Sequence, residues 1–234
     1  MSIKENLNIS CSIVAFSDGI VTKKINDLKN TLVSFRNCSF SGKIIVIDNS
    51  KFPYFKSSTD KIENCQYIHN PSNPGFGASH NLAIKLLSDS EYHLILNPDV
   101  IIKDKECLIK LFKQLIKLNA SLVQPRILGF DNLEQHLCKK DPTLLAMIIR
   151  MYKLDLKFKV FEKYNKDYMM LKKAYKKRNI RSTYLSGCAM MVSLRDFWKV
   201  NGFDERFFMY LEDADLTRRL SKVGKCIHHH LFVV

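Results

Sequence analysis

The sequence has no run approaching the roughly 18 consecutive apolar residues that a membrane-spanning helix needs, and its opening, MSIKENLNIS, lacks the apolar core of a secretory leader. Both absences lead to the expectation of a chain on the cytoplasmic side. It has no C-x-x-C pair, and its seven cysteines (Cys11, Cys38, Cys65, Cys107, Cys138, Cys188, Cys226) are odd in number and widely spaced. Neither a zinc cluster nor a disulfide framework is indicated, so reduced, mostly buried thiols are expected. Arginine is scarce beside lysine, 9 against 28. That balance weakens the case for base readout, where the planar guanidinium is preferred. What remains is ordinary: 234 residues, 46% hydrophobic and 26% charged. This is enough chain for a real core, and too typical a composition for wholesale disorder or solenoid repeats.

The excess is positive charge, +14 overall with an isoelectric point near 9.4. It is regional. Residues 139–181 hold 14 basic and four acidic side chains, a net +10, which leaves only +4 for the rest. Apolar residues of this segment (Leu144, Leu145, Met147, Ile148, Ile149, Met151, Tyr152, Leu154, Leu156, Phe158, Val160, Phe161) precede a lysine-rich run at 172–181 with Tyr175 inside it. Three readings stand side by side: a solvated helical face, an anionic membrane surface or lipid phosphate, and nucleic acid.

Before that segment, strand-like and helix-like stretches alternate. Residues 9–16 (ISCSIVAF) are β-rich, and Ile25, Leu28, Leu32 and Phe35 recur at helical spacing. KIIVI at 43–47 and YHLIL at 92–96 are short, continuously apolar strands of the kind buried in a parallel sheet. Residues 66–69 add a further strand, while 78–87 and 105–118 read as helices. The alternation predicts an α/β domain with a mainly parallel sheet and right-handed crossovers. Ligands of such sheets bind beyond the carboxyl ends of the strands. Asp48 follows KIIVI there, and Asn97-Pro98-Asp99 follows YHLIL. Each is also an ordinary strand-ending turn former. Further on, an apolar stretch at 184–191 pivots on Gly187, and a helix is expected after Leu211 with Gly224 as its C-cap. Glu212 and Asp213 fall in its first turn, where the dipole favours a carboxylate, so capping and function both remain open.

Taken together, NPGFGASHNLAI (73–84), LNPDV (96–100), QPRIL (124–128), SGCAMMV (186–192) and NGFDERFFMYLEDADLTRRLSKVG (201–224) resemble the family 2 glycosyltransferases in order and spacing. The similarity is greatest to the rhamnosyltransferase-like branch of bacterial surface-polysaccharide biosynthesis. It runs from about residue 9 to the end and is poor over 129–183. The resemblance implies a GT-A fold, a Rossmann-like mainly parallel sheet flanked by helices. It implies one domain over 1–234: a nucleotide-sugar half to about 128, a basic acceptor- or membrane-facing segment over 129–183, and a catalytic part over 184–234. Asp48 then corresponds to the residue that contacts the base, and Asn73, Gly75, Gly77, Asn81, Asn97 and Gly187 to the nucleotide-sugar pocket. Asp99 corresponds to the metal contact for Mg²⁺ or Mn²⁺, Asp213 to the catalytic base, and Glu212 to its support.

The implied reaction is inverting transfer of a sugar, rhamnose from dTDP-rhamnose or another hexose from a dTDP- or UDP-sugar, to a glycan or polyprenyl-diphosphate-linked acceptor. The implied location is cytoplasmic, free or peripheral on the inner face of the membrane, with no nucleic-acid partner. A second reading is a catalytically silent relative that binds glycan or membrane. Relatives continue past the strand that holds His228, His229 and His230 to a further histidine and more helices, so a truncated C-terminus is expected. Three consecutive histidines on a strand alternate faces and are not expected to converge on a metal.

Overall fold

The computed structural model describes residues 9–38, 42–87, 89–129, 131–171 and 179–233. Residues 172–178, most of the lysine-rich run, lie outside the described residues, as does Tyr175. The first half alternates as the apolar pattern requires: β1 (Ile9–Ala15), α1 (Thr22–Arg36), β2 (Ile44–Asp48), the short α2 (Lys56–Thr59), β3 (Cys65–His69), α3 (Phe76–Lys85), β4 (Tyr92–Leu96), α4 (Cys107–Lys117) and β5 (Ala120–Ile127). The poorly matching segment forms β6 (Cys138–Lys139), α5 (Leu144–Met151), a 3-10 turn (Leu154–Leu156), α6 (Lys159–Tyr168) and β7 (Ile180–Arg181). The rest is β8 (Tyr184–Leu185), β9 (Ala189–Ser193), α7 (Leu194–Lys199), α8 (Glu212–Val223) and β10 (Lys225–Val233).

Eight strands form one sheet in the order β3-β2-β1-β4-β9-β5-β10-β7. Parallel pairing joins β3, β2, β1 and β4, and also β5 with β10, whereas β9 runs antiparallel to both β4 and β5. Every residue of β1 and β2 is buried, as central parallel strands covered on both faces must be. On one face Cys11, Ile13 and Ala15 pack with Leu28, Leu32 and Phe35 of α1 and Leu108, Leu111 and Leu115 of α4. On the other, Val14, Ile45 and Ile47 meet Ala83, while Ile95, Met190 and Val192 belong with Phe197, Leu216 and Leu220 of α7 and α8.

Two local details stand out. Gly224 is the C-cap of α8, as expected from sequence, its N donating to Leu220 O at 2.9 Å, but with φ −168° it is extended rather than left-handed. Glycine stands there because a Cβ would lie 2.0 Å from Ser121 Oγ. The three histidines fall beside an irregularity: the β10–β5 register shifts between His228 and Phe232, and His228 and His229 are buried while His230 is exposed. Burial holds the His228 and His229 imidazoles down at about 4.

Candidate active site

Asp48 ends β2, Asn97 and Asp99 follow β4, and Asn73 and Gly75 lie in the turn after β3, all at the carboxyl ends of parallel strands. β9 enters between β4 and β5, and Asn97 N donates to Cys188 O at 2.8 Å, stitching the LNPDV turn to the SGCAM turn. The 201–213 loop then closes over both the α3 N-terminus and Gly187. Gly75 has φ +100°, and a Cβ on it would stand 2.2 Å from Phe208 O; the neighbouring Phe76 N donates to that same oxygen at 3.1 Å. Only glycine satisfies both the backbone angle and the contact. At Gly187 a Cβ would lie 3.0 Å from the Phe76 ring and 3.5 Å from Asp213 Cβ, so this turn is where α3 and α8 meet.

Asp213 sits in the first turn of α8. Its Oδ2 accepts from Gly187 N at 3.0 Å and its Oδ1 from Ala214 N at 2.8 Å. Burial pushes its carboxyl up, while those two N–H groups and the charge of Lys139 pull it down; the upward influence wins. The N–H groups at the start of α8 thus favour the ionised carboxylate, as expected for a helix N-terminus, but offset only part of the effect of burial. Glu212 is buried, with an Oε2 that has no hydrogen-bond partner, and its carboxyl is raised by burial and secondarily by the charge of Asp213. Tyr210 (φ 71°) and Leu211 (φ 69°) precede them, two successive non-glycine residues in the left-handed region. Such strain is characteristic of residues that surrounding structure holds for a purpose.

Not all predicted residues present a free group. Asp48 is fully buried: Oδ1 accepts from Ser50 N at 2.9 Å, and Oδ2 accepts from Tyr67 Oη at 2.6 Å and Phe55 N at 3.2 Å. Asn81 is likewise occupied, donating to Phe203 O at 2.9 Å and Glu205 Oε1 at 3.0 Å and accepting from Phe203 N at 3.0 Å. Gly77 packs on Phe203, a Cβ there falling 2.8 Å from Phe203 Cβ and 3.0 Å from the first ring atom, Cγ. Asn73, at φ 43°, and Asn97 are half-buried, and Asp99 is exposed.

Asn97, Asp99 and Gln135 line a recess of about 100 Å³. Among the described residues no group of three or more His, Cys, Asp or Glu side chains is arranged to hold a metal ion. One accessible carboxylate suits a hard divalent cation that takes its other ligands from phosphate and water.

Nothing in the residue pattern pointed to what surrounds Asp213 from the basic segment. β6 pairs with β8 as a separate ribbon, setting Lys139 opposite Tyr184, and Lys139 Nζ lies 4.9 Å from the centre of the Tyr184 ring. Tyr168 and Tyr184 feel the charges of both Asp213 and Arg150, and burial pushes both phenols up. A second hidden feature lies beneath the site. Ser10 Oγ meets His93 Nδ1 at 2.7 Å, Ser12 Oγ meets His93 Nε2 and His80 Nδ1 at 2.6 Å each, and all four side chains are fully buried between β1, β4 and α3.

A mainly parallel sheet with this strand order, carboxylates beyond its strand ends and an acid in the first turn of the closing helix defines the GT-A class of sugar-transferring folds. The comparisons agree and are more specific. Residues 167–230 match the family described as the N-terminal domain of galactosyltransferase. Rhamnosyltransferase WbbL of Escherichia coli K12 is 31% identical over 196 residues, covering 80% of this chain and 69% of that protein. The N-acetylglucosaminyl-diphospho-decaprenol L-rhamnosyltransferase of Mycobacterium tuberculosis is 54% identical over 41 residues, 18% of this chain and 13% of that one. Among solved structures, GalNAc-T7 with UDP, GalNAc and Mn²⁺ superposes with a TM-score of 0.66 at 14% identity, over 99% of this chain and 44% of that one. The chain belongs to the family 2 glycosyltransferases and is of the rhamnosyltransferase-like kind.

Proposed function

We propose that this chain transfers a sugar with inversion from a nucleoside-diphosphate donor to an acceptor hydroxyl, with Asp213 as the general base. Rhamnose from dTDP-rhamnose is the donor we favour, on the similarity to WbbL. A glycan on polyprenyl diphosphate is the acceptor we favour, by analogy with the N-acetylglucosaminyl-diphospho-decaprenol rhamnosyltransferase of Mycobacterium tuberculosis, presented at an anionic membrane surface in surface-polysaccharide synthesis.

The observation that carries the reading is the setting of Asp213, a half-buried carboxylate clamped by Gly187 N and Ala214 N. Its raised affinity for a proton makes it a stronger base than a free aspartate. It takes the acceptor proton as the hydroxyl oxygen attacks the anomeric carbon from the face opposite the departing diphosphate. One displacement inverts the centre, and no covalent nucleophile is needed. Glu212 keeps the second carboxyl of the pair buried behind Asp213. Asn73 and Asn97 contact the donor, while Gly75, Gly77, Gly187 and Asn81 hold the walls of its pocket, and Asp48 shapes the base end through its bonds to the 50–55 loop. Asp99 would hold Mg²⁺ or Mn²⁺ together with the donor's phosphates, as the Mn²⁺ in the GalNAc-T7 structure encourages. When bound, the ion supplies positive charge to the leaving diphosphate.

The test is transfer from radiolabelled dTDP-rhamnose, with the anomeric configuration of the product read by NMR. Asp213→Asn is expected to lose about 3–5 kcal/mol of transition-state stabilisation with little change in donor affinity. Near-normal turnover by that variant removes Asp213 from the role. In parallel, calorimetry of donor binding is expected to show a divalent-ion requirement that Asp99→Ala abolishes. Equal affinity with and without the ion in both proteins overturns the metal assignment.

A further inference from the structure

The 144–160 stretch is folded, yet it keeps its largest apolar side chains outside. α5 starts on a proper cap, Thr143 Oγ1 accepting from Ala146 N at 3.1 Å, and it buries only Ala146 and Ile149. Its other flank repeats at i, i+3, i+4, i+7: Leu144, Met147, Ile148 and Met151 form one exposed apolar ridge. Leu144 is 80% exposed and Met151 71%. Past the helix the chain exposes further apolar side chains, Leu156 at 79%, Val160 at 69% and Phe158 at 53%. Scattered exposed leucines need no explanation, but a contiguous group of this kind marks an interaction surface.

Its charge says what kind. Between 144 and 160 stand Arg150, Lys153, Lys157 and Lys159, all exposed, against Asp155 alone. Asp155 is half-buried and accepts from Asn165 Nδ2 at 2.7 Å. A second copy of this chain would set this cationic border against its own like. Nucleic acid would satisfy the lysines and leave the aliphatic ridge in water. A bilayer with anionic headgroups offers both halves of the match in the right order, negative charge outside and hydrocarbon beneath. No helix among the described residues is long and apolar enough to cross a membrane, so the element lies in the interface.

We infer that the 144–160 stretch is an in-plane foot, inserting Leu144, Ile148, Met151, Leu156 and Phe158 into an anionic membrane surface while its lysines stay at the headgroups. It rests on the membrane-facing acceptor named above and gives that surface a location. The foot adjoins the site: the charge of Arg150 on α5 acts on Lys139, Tyr168 and Tyr184 beside Asp213.

Co-sedimentation with phosphatidylcholine vesicles, with and without phosphatidylglycerol, tests it. The protein is expected to bind the anionic vesicles, more tightly at low salt. Leu144→Asp/Met151→Asp is expected to weaken that binding at least about tenfold, since each buried large apolar side chain is worth that much or more. The fluorescence of a Leu144→Trp variant should shift to the blue on binding and be quenched by brominated acyl chains. Absence of vesicle binding at either salt overturns the foot. So does equal binding by the double variant, a dimer in ultracentrifugation that the double variant abolishes, or nucleic-acid binding without vesicle binding. Transfer to a water-soluble acceptor without vesicles separates this from the proposed reaction. Normal transfer with no vesicle binding removes the foot alone, and vesicle binding with no transfer by the unaltered chain removes the reaction alone.

Discussion

Asp213 is pulled in two directions, and with Asp213 in the proposed role of general base the balance sets the pH range of transfer. A base must be unprotonated to act, so transfer falls as pH drops through the carboxyl's own value, which burial has raised. The acid limb of the rate profile is therefore expected above that of a free aspartate, near 4. Lys139 is the cation that partly offsets burial, and its own ammonium is held down by burial and by Arg150. Lys139→Met should move the acid limb of kcat to higher pH while leaving the plateau rate within a few fold. An unmoved limb would mean that Lys139 does not act on Asp213. Asp213 itself was legible in the sequence because it lies within one unbroken signature. Lys139 was not, because the β6–β8 ribbon brings it across 74 positions of chain to Asp213.

At the scale of elements, α3 and α8 are placed by backbone-to-backbone contact through glycine. The predicted start of α3 came two residues late, because Gly75 turns the chain straight into the helix. Gly75→Ala forces a side chain into a left-handed backbone and against Phe208 O. The strain is about 1–3 kcal/mol, and the Phe76 N to Phe208 O bond is lost with it. Urea denaturation should show a lower midpoint, and calorimetry a weaker donor affinity. An unchanged midpoint would show that the 201–213 loop does not rest on this turn. Central strands and long amphipathic helices were readable because their burial follows a local period. The 129–183 elements are short, and α5 is apolar on nearly every side, so no period marks which flank packs.

The whole molecule carries its acid sensitivity in the interior. His93 is fully buried and held at about 3, and His80 is held well below the ordinary 6.5; burial is the main cause for each. The unfolded chain takes up these protons near 6.5 and the folded chain refuses them. Stability is thus fully present above about 6.5 and declines as pH falls, by about 1.4 kcal/mol per unit for each such group until its folded value is reached. Guanidinium unfolding at pH 7.5, 6 and 4.5 should show a falling midpoint, with a shallower fall in His93→Asn. A midpoint flat across that range would rule out the buried imidazoles as its source. The sequence displayed these histidines without their setting, since Ser10 and Ser12 read as strand residues in an apolar run.

The sequence by itself determined the class of fold and where chemistry belongs in it. Continuous apolar strands demand cover on both faces, and Asp48, Asn97, Asp99 and Asp213 are already at strand ends or a helix start in the linear order. Only the tertiary structure decided which of those groups remain available. Asp48 and Asn81 are occupied by loop contacts, Asp99 stays exposed, and Asp213 is half-buried between N–H groups and the charge of Lys139. The reason is physical. Apolar periodicity is a local property of the chain, whereas hydrogen-bond satisfaction, desolvation and charge depend on neighbours that arrive from distant positions.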